Sequence, residues 1–447
     1  MNLIFTITYC LLILITFYEL LHKNIFRFLI VFAILFSFSP LMQYVIYPEY
    51  KTEAGYRDFS FGRIYYEYFN TIILILANLV FKTIGNHTRS ISIISVLILS
   101  WIGLNTVSLI SSIDILRSLN GLVLSVINPL LYIRLFNHKR IMPFTANFII
   151  ALFSYVIIFN LGIKFGSIVY NFGRGAMSTM EIGYSTIDFG NFRSNSGTNF
   201  LAFFLPLIYF NNTEIENRLT RNLFKISKFL MIFTFIITGS RTGYIVLVMT
   251  LLAGLFIYYK DRSRLFGISF IVTIALILFI SINTTSFTKY IEGRFTQKGD
   301  TAVESALNDE RLALWGNAIR EIKKNKFIGI GMGNYPLIHR YGNPHNLFIT
   351  LLYERGIAVF IVFLCLIFYA MRQYKYLSYN VSSENDPSIF RLMQFGLILY
   401  LISSFTGEAF ISISQTVHVF PSYIFIIFIM LPFYFSNYQA SDYIDPQ

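Results

Sequence analysis

The chain has 447 residues, of which 55% are hydrophobic, 18% aromatic and only 13% charged, with a formal net charge of +12. A soluble domain carries about 25% charged residues. The composition therefore excludes the soluble globular class, and the apolar runs that recur from end to end are the pattern of an all-α, polytopic helical membrane protein.

Candidate spans, in chain order, lie at 2–18, 28–47, 65–81, 91–112, 119–136, 143–162, 197–210, 227–240, 242–259, 265–282, 353–371, 392–406 and 417–436. A span needs roughly 17–25 residues, so the chain holds about 12–13 transmembrane helices. No small-residue cleavage site follows the first run, which is read as a retained span. The two cysteines, Cys10 and Cys365, fall inside apolar runs and suggest neither a disulfide framework nor a metal site.

The short connections at 82–89, 138–140, 218–228, 260–264 and 372–375 are basic and should face the cytoplasm. Alternation then puts 48–64, 163–196 and 283–345 outside, with the N-terminus outside and the C-terminus inside. The last of these loops is long, polar and partly helical, and precedes the third-last span. The chain divides into N-terminal helices at 1–190, a core at 191–372 that includes this loop, and C-terminal helices at 373–447. The basic excess resides in the cytoplasmic connections and in the loop, and no nucleic-acid partner is expected.

Residues that can carry chemistry gather in the core. In the outer segment F-G-N-F-R-S-N-S-G-T-N-F, Arg193 stands just before a span, as a phosphate or sugar contact or as a flanking anchor. In T-G-S-R-T-G-Y, Ser240 can cap a helix starting near Thr242. Arg241 then sits at the positive end of that helix, where a cation is disfavoured. A helix N-terminus with an arginine makes an anion site; the alternative is an interfacial arginine reaching to headgroups.

Further on, Asn308 or Asp309 can cap a helix with Asp309, Glu310 and Arg311 at its start. Leu312, Trp315, Ile319 and Ile322 give it one apolar face. Lys323, Lys324 and Lys326 at its far end suit anionic lipid, whereas Arg311 is again at the unfavourable end. The stretch F-I-G-I-G-M-G-N-Y-P, with Gly329, Gly331 and Gly333, lacks the flanking strand and helix of a dinucleotide site. It reads as a tight turn that lets backbone approach a ligand. Pro344 can open the next helix and place His345 in or just before its first turn. There the imidazole stays neutral at pH 7 and can accept a proton from a hydroxyl. Glu181, Asp188, Glu354 and Glu408 are further candidate sugar ligands or acids.

The order of these pieces resembles the O-antigen ligase and O-antigen polymerase superfamily, integral membrane glycosyltransferases of the GT-C type. Ser240-Arg241, Arg311 with Trp315, Gly329 to Gly333, His345-Asn346, and Glu354 with Gly356 carry the resemblance, over roughly residues 190–372. It implies an undecaprenyl-pyrophosphate-linked oligosaccharide as donor and a saccharide hydroxyl as acceptor. Transfer would occur at the periplasmic face of the bacterial inner membrane, without a nucleotide sugar, a cofactor or an obligatory metal. By the same resemblance Arg241 and Arg311 hold the pyrophosphate and His345 serves the acceptor, with Arg193, Asn346, Gly331 and Gly333 as substrate contacts. Membrane lipid, a chain-length regulator and a flippase are the implied partners. The expected activity is that of a polymerase moving a chain onto the next lipid-linked repeat unit. The alternatives are a ligase moving the finished chain onto lipid A core, or a flippase for lipid-linked saccharides.

Overall fold

The structure, a computed structural model, describes residues 2–46, 61–81, 93–138, 152, 155, 205–206, 218–237, 246, 248–250, 310–322, 327–335, 346–380, 388–404, 426 and 429–433. Among these the secondary structure is helical, with no strand. The N-terminal helices are α1 (Asn2–Leu21), α2 (Ile25–Ile46), α3 (Phe61–Val80), α4 (Ile93–Val107), α5 (Ile115–Leu122) and α6 (Asn128–Arg134). The later ones are α7 (Arg218–Ile237), α8 (Glu310–Ile322), α9 (Leu347–Asn380) and α10 (Ser388–Ser403). Among the described residues two continuous stretches, Ile115–Arg134 and Leu347–Tyr379, are long and apolar enough to cross a membrane.

Polarity is distributed as lipid demands. Large apolar side chains such as Leu14, Leu79, Leu99 and Phe368 are exposed on the outside of the bundle. Asn70, Asn105, Ser108, Ser118, Ser125 and Asn128 are buried between helices. In a bilayer, polar side chains gain by hydrogen bonding across helix interfaces, and apolar ones lose nothing by facing outward. The fold is accordingly that of a polytopic helical membrane protein.

Hydrogen bonds set the helix directions. The turn His22-Lys23-Asn24 joins α1 to α2, with Lys23 at φ 53°. Asn24 accepts from the Arg27 amide at 3.3 Å and so caps α2. Both N-terminal segments are thus helices of one antiparallel hairpin. Helix α3 runs parallel to α5–α6. Tyr68 bonds Asn120, Asn128 Nδ2 donates to Thr71 Oγ1 at 2.7 Å, and Asn78 Nδ2 donates to the Leu131 carbonyl at 2.9 Å. Phe81 then meets His138 edge-on at 6.3 Å, and Tyr132 donates to the Leu29 carbonyl at 3.0 Å. Helix α4 is antiparallel to α9, with Trp101 against Phe363 at 5.9 Å.

One end of the bundle therefore holds the α1–α2 turn, the end of α3, the end of α6 and the later part of α9. Those helix ends lead into the basic connections at 82–89, 138–140 and 372–375. The turn at 327–335 and the start of α9 lie at the opposite end.

Two element boundaries differ from the sequence reading. Helix α7 begins at Arg218 rather than 227, because Arg, Leu and Lys are good helix formers and basic side chains can reach water from a helix that enters lipid. Helix α9 begins at Leu347, ahead of the apolar span expected from 353 and close to the opening expected at Pro344. Its first nine residues are apolar except for groups that find partners inside the protein.

Candidate functional site

The site is built around the first segment of α9. Asn346 opens it: its Oδ1 accepts from the amides of Phe348 at 3.0 Å and Ile349 at 3.1 Å. This is the N-cap geometry, which asparagine favours. The Leu347 amide donates to the Ser404 carbonyl at 3.0 Å, just past the end of α10. His345 immediately precedes the cap and itself lies outside the described residues.

At Gly356 the helix breaks, with φ 82° and ψ 172°. The carbonyls before the break would be orphaned. The glycine turn satisfies two of them: the Ile330 amide donates to Tyr353 O at 3.2 Å, and the Gly331 amide to Glu354 O at 2.8 Å. Gly329, Gly331 and Gly333 have φ of 73°, 91° and 74°, a region that costs other residues strain. A Cβ at Gly329 would stand 2.5 Å from Glu354 O. A Cβ at Gly331 would stand 2.5 Å from Ser112 Oγ and 2.6 Å from Ser118 Oγ. The tight turn is present, and the backbone it brings close approaches the protein itself.

Glu354 is fully buried. Its Oε2 accepts from the Gly333 amide at 2.9 Å and its Oε1 from the Tyr335 amide at 3.2 Å. The positive charges of Arg355 and Arg117 both act on this carboxylate. Arg355 is buried as well: Nη1 donates to Asn105 Oδ1 at 3.0 Å, Nη2 to Ser125 Oγ at 3.2 Å, and the guanidinium lies 5.7 Å from the Trp101 ring centre. The π-helical turn Val123–Ile127 between α5 and α6 carries Ser125. Such turns re-aim side chains and recur at functional sites.

The N-terminal half also grips the turn directly. Asn334 Nδ2 donates to Ser112 Oγ at 2.7 Å, Ser118 Oγ at 3.1 Å and Ile330 O at 2.9 Å. Ser118 Oγ donates to Met332 O at 3.0 Å, and the Ile113 amide to Ile330 O at 3.2 Å. Asp114 caps α5 through the Arg117 amide at 3.0 Å, which fixes Arg117 in the first turn.

Helix α8 completes the arrangement. Arg311 is its second residue, at the start of the helix as the sequence predicts; its side chain lies outside the described residues. Ala318, Ile322, Ile330, Tyr335, Ile349 and Tyr353 form one small apolar cluster. Tyr335 and Tyr353 meet edge-on at 5.0 Å. Burial, reinforced by the neighbouring Glu354, pushes the Tyr335 hydroxyl far above its ordinary range, so it stays neutral. The buried stripe of α8 runs through Ala318, whose small side chain allows close approach. Ile319, expected on that stripe, is exposed.

The helix that carries Arg311 thus packs against the helix that His345 precedes. Arg193 and Arg241 lie outside the described residues. The Gly331 and Gly333 amides are donated to Glu354, and Asn346 Oδ1 is engaged as a cap. Glu354 itself, considered a sugar ligand or acid, is enclosed by backbone amides. Sequence reasoning missed Arg117, Arg355 and Asn334. Arg117 falls in what reads as a connection between two spans, and its position inside the apolar stretch 115–134 is the signal that could have found it.

No curated protein matches the chain. Residues 226–364 match the model of the O-antigen ligase family. The match lies inside the expected core at 191–372 and takes in Arg241, Arg311, the glycine turn and His345, but not Arg193. This match runs from α7 through α8 and the glycine turn into α9, and over that stretch the chain is similar to the O-antigen ligase family.

Proposed function

We propose that the protein is an O-antigen polymerase of the inner membrane. It would transfer an undecaprenyl-pyrophosphate-linked oligosaccharide onto the next lipid-linked repeat unit at the periplasmic face. The observation that carries the transferase class common to polymerase and ligase is the family match over 226–364. It is supported by the gathering of α8, the glycine turn and the start of α9 at the end of the bundle away from the basic connections.

In the proposed reaction the bond from the donor sugar's anomeric carbon to the phosphate oxygen breaks, and its electron pair leaves with the pyrophosphate. Arg241 and Arg311 hold that charge, as fixed guanidinium forks can where a metal otherwise would. The acceptor hydroxyl forms the new bond to the anomeric carbon, and its proton passes to His345, a neutral base. Arg193 contributes a further donor contact. Asn346, Gly331 and Gly333 act by shape: the cap fixes where His345 stands, and the glycines seat the turn against α9. A chain-length regulator and a flippase are the proposed partners.

The description of the matching family favours a second reading, a ligase that transfers the finished chain to lipid A core. Deletion of the gene separates the two. Loss of a polymerase still lets single repeat units reach the core. Loss of a ligase leaves the core bare, with long saccharide retained on the lipid carrier. Membranes supplied with lipid-linked repeat units and no nucleotide test the class itself, because a flippase would neither lengthen nor transfer saccharide.

A further inference from the structure

Beyond Gly356, α9 exposes Ile357, Ile361, Leu364 and Phe368. These recur at helical spacing and form one outward stripe. Val359, Phe363, Leu366 and Ala370 are buried on the other side. The stripe ends at Arg372 and Lys375, at the basic end of the bundle. At its other end it does not stop with the helix. Gly356 packs against the Phe327 carbonyl, so Phe327 and Ile328 sit at the head of the stripe. They are 74% and 42% exposed.

The neighbouring corner has the same inverted polarity. Ile113 is tied by its amide to Ile330 O. Ile110, Ile113, Ile115 and Leu116 are exposed there, while Arg117, Ser118 and Asn120 are buried. An extramembrane turn facing water would show the reverse pattern.

Length agrees with this. With Arg372 at the inner interface, a hydrocarbon layer of about 30 Å, at about 1.5 Å rise per residue, takes in about 20 helical residues. It therefore reaches back along α9 to the neighbourhood of Leu352, past Gly356 and Glu354.

We infer that Phe327 and Ile328 form a wedge immersed in the acyl chains of the leaflet opposite the basic connections. The glycine turn and Glu354 then lie inside the edge of the hydrocarbon layer instead of above the membrane. The inference requires only that α9 crosses the bilayer, and is independent of the transferase reading. A turn at that depth meets substrates carried by lipid.

The test uses the full chain with Cys10→Ser and Cys365→Ser, reconstituted in vesicles of phosphatidylethanolamine and phosphatidylglycerol. A nitroxide label is placed by Phe327→Cys. Phe368→Cys serves as the lipid reference and Arg391→Cys as the aqueous one. Oxygen collisions should exceed nickel-chelate collisions at 327 as they do at 368, with the order reversed at 391. If Phe327→Cys fails to fold, Ile328→Cys reads the same depth. A label at either position that behaves like the one at 391 overturns the wedge. If 368 also behaves like 391, the crossing of α9 fails with it.

Discussion

Glu354 and Gly333 are joined by a 2.9 Å hydrogen bond from the glycine amide to the carboxylate. Together with the 3.2 Å bond from Tyr335, it makes Glu354 the post on which the glycine turn hangs. Glu354→Ala would strand two buried amides, those of Gly333 and Tyr335. Leaving a buried donor unsatisfied costs about 1–3 kcal/mol for each group. The expected outcome is a large drop in thermal unfolding temperature of the detergent-solubilised protein, with activity lost as a consequence. Unchanged melting with activity abolished would instead make Glu354 a chemical participant.

Two glycines should respond in opposite directions to alanine. Gly316 lies inside α8 with nothing within 4 Å of an added Cβ. Gly316→Ala should stabilise by about 0.5–1 kcal/mol through helix propensity. Gly356 has φ 82°, and its Cβ would meet Phe327 O. Gly356→Ala should destabilise by at least 1 kcal/mol, an approximate cost of strained backbone (about 1–3 kcal/mol). Melting curves for the pair check the sign. A stable Gly356→Ala would mean that the break in α9 is not needed.

In the proposed reaction Arg311→Lys should lose far more activity than Lys324→Arg. A guanidinium presents a planar fork to two phosphate oxygens, which an ammonium does not reproduce, whereas either cation serves anionic headgroups. The readout is saccharide transfer in membranes matched for protein level. Equal residual activity would reduce Arg311 to a surface cation.

His345→Ala in the deletion strain should reproduce the deletion phenotype, single repeat units on the core, while the protein still accumulates in the membrane. Removing a positioned general base typically costs about 100–10,000-fold in rate. Long chains of normal abundance would remove His345 from the chemistry.

Much of the fold is legible in the sequence because apolar length alone reports spans. The expected segments at 2–18, 28–47, 65–81 and 392–406 correspond to α1, α2, α3 and α10. The start of α9 was less legible. Pro344 suggested the opening, while the cap is Asn346, a residue type that favours that position. The glycine turn was visible as a turn, but its target was not. Its partners Ser112 and Ser118 lie more than two hundred positions earlier, and no local spacing encodes such a contact. Arg355 was hidden for a related reason. Its burial becomes intelligible only once Asn105 and Ser125 are seen beside it.

The bonds from Arg355 to Asn105 and Ser125 also impose an order of assembly. Residues 357–380 are long enough to enter a bilayer on their own, since about 20 residues suffice. The preceding segment carries Glu354 and Arg355, which lipid rejects until their hydrogen-bond partners stand alongside. Synthesis from the N-terminus delivers α4 and the π-helical turn first, so the receptors for Arg355 wait in the membrane before it leaves the ribosome. A chain deprived of α4 should insert its later helices with this segment stranded, and a membrane quality-control protease should remove it soon after synthesis.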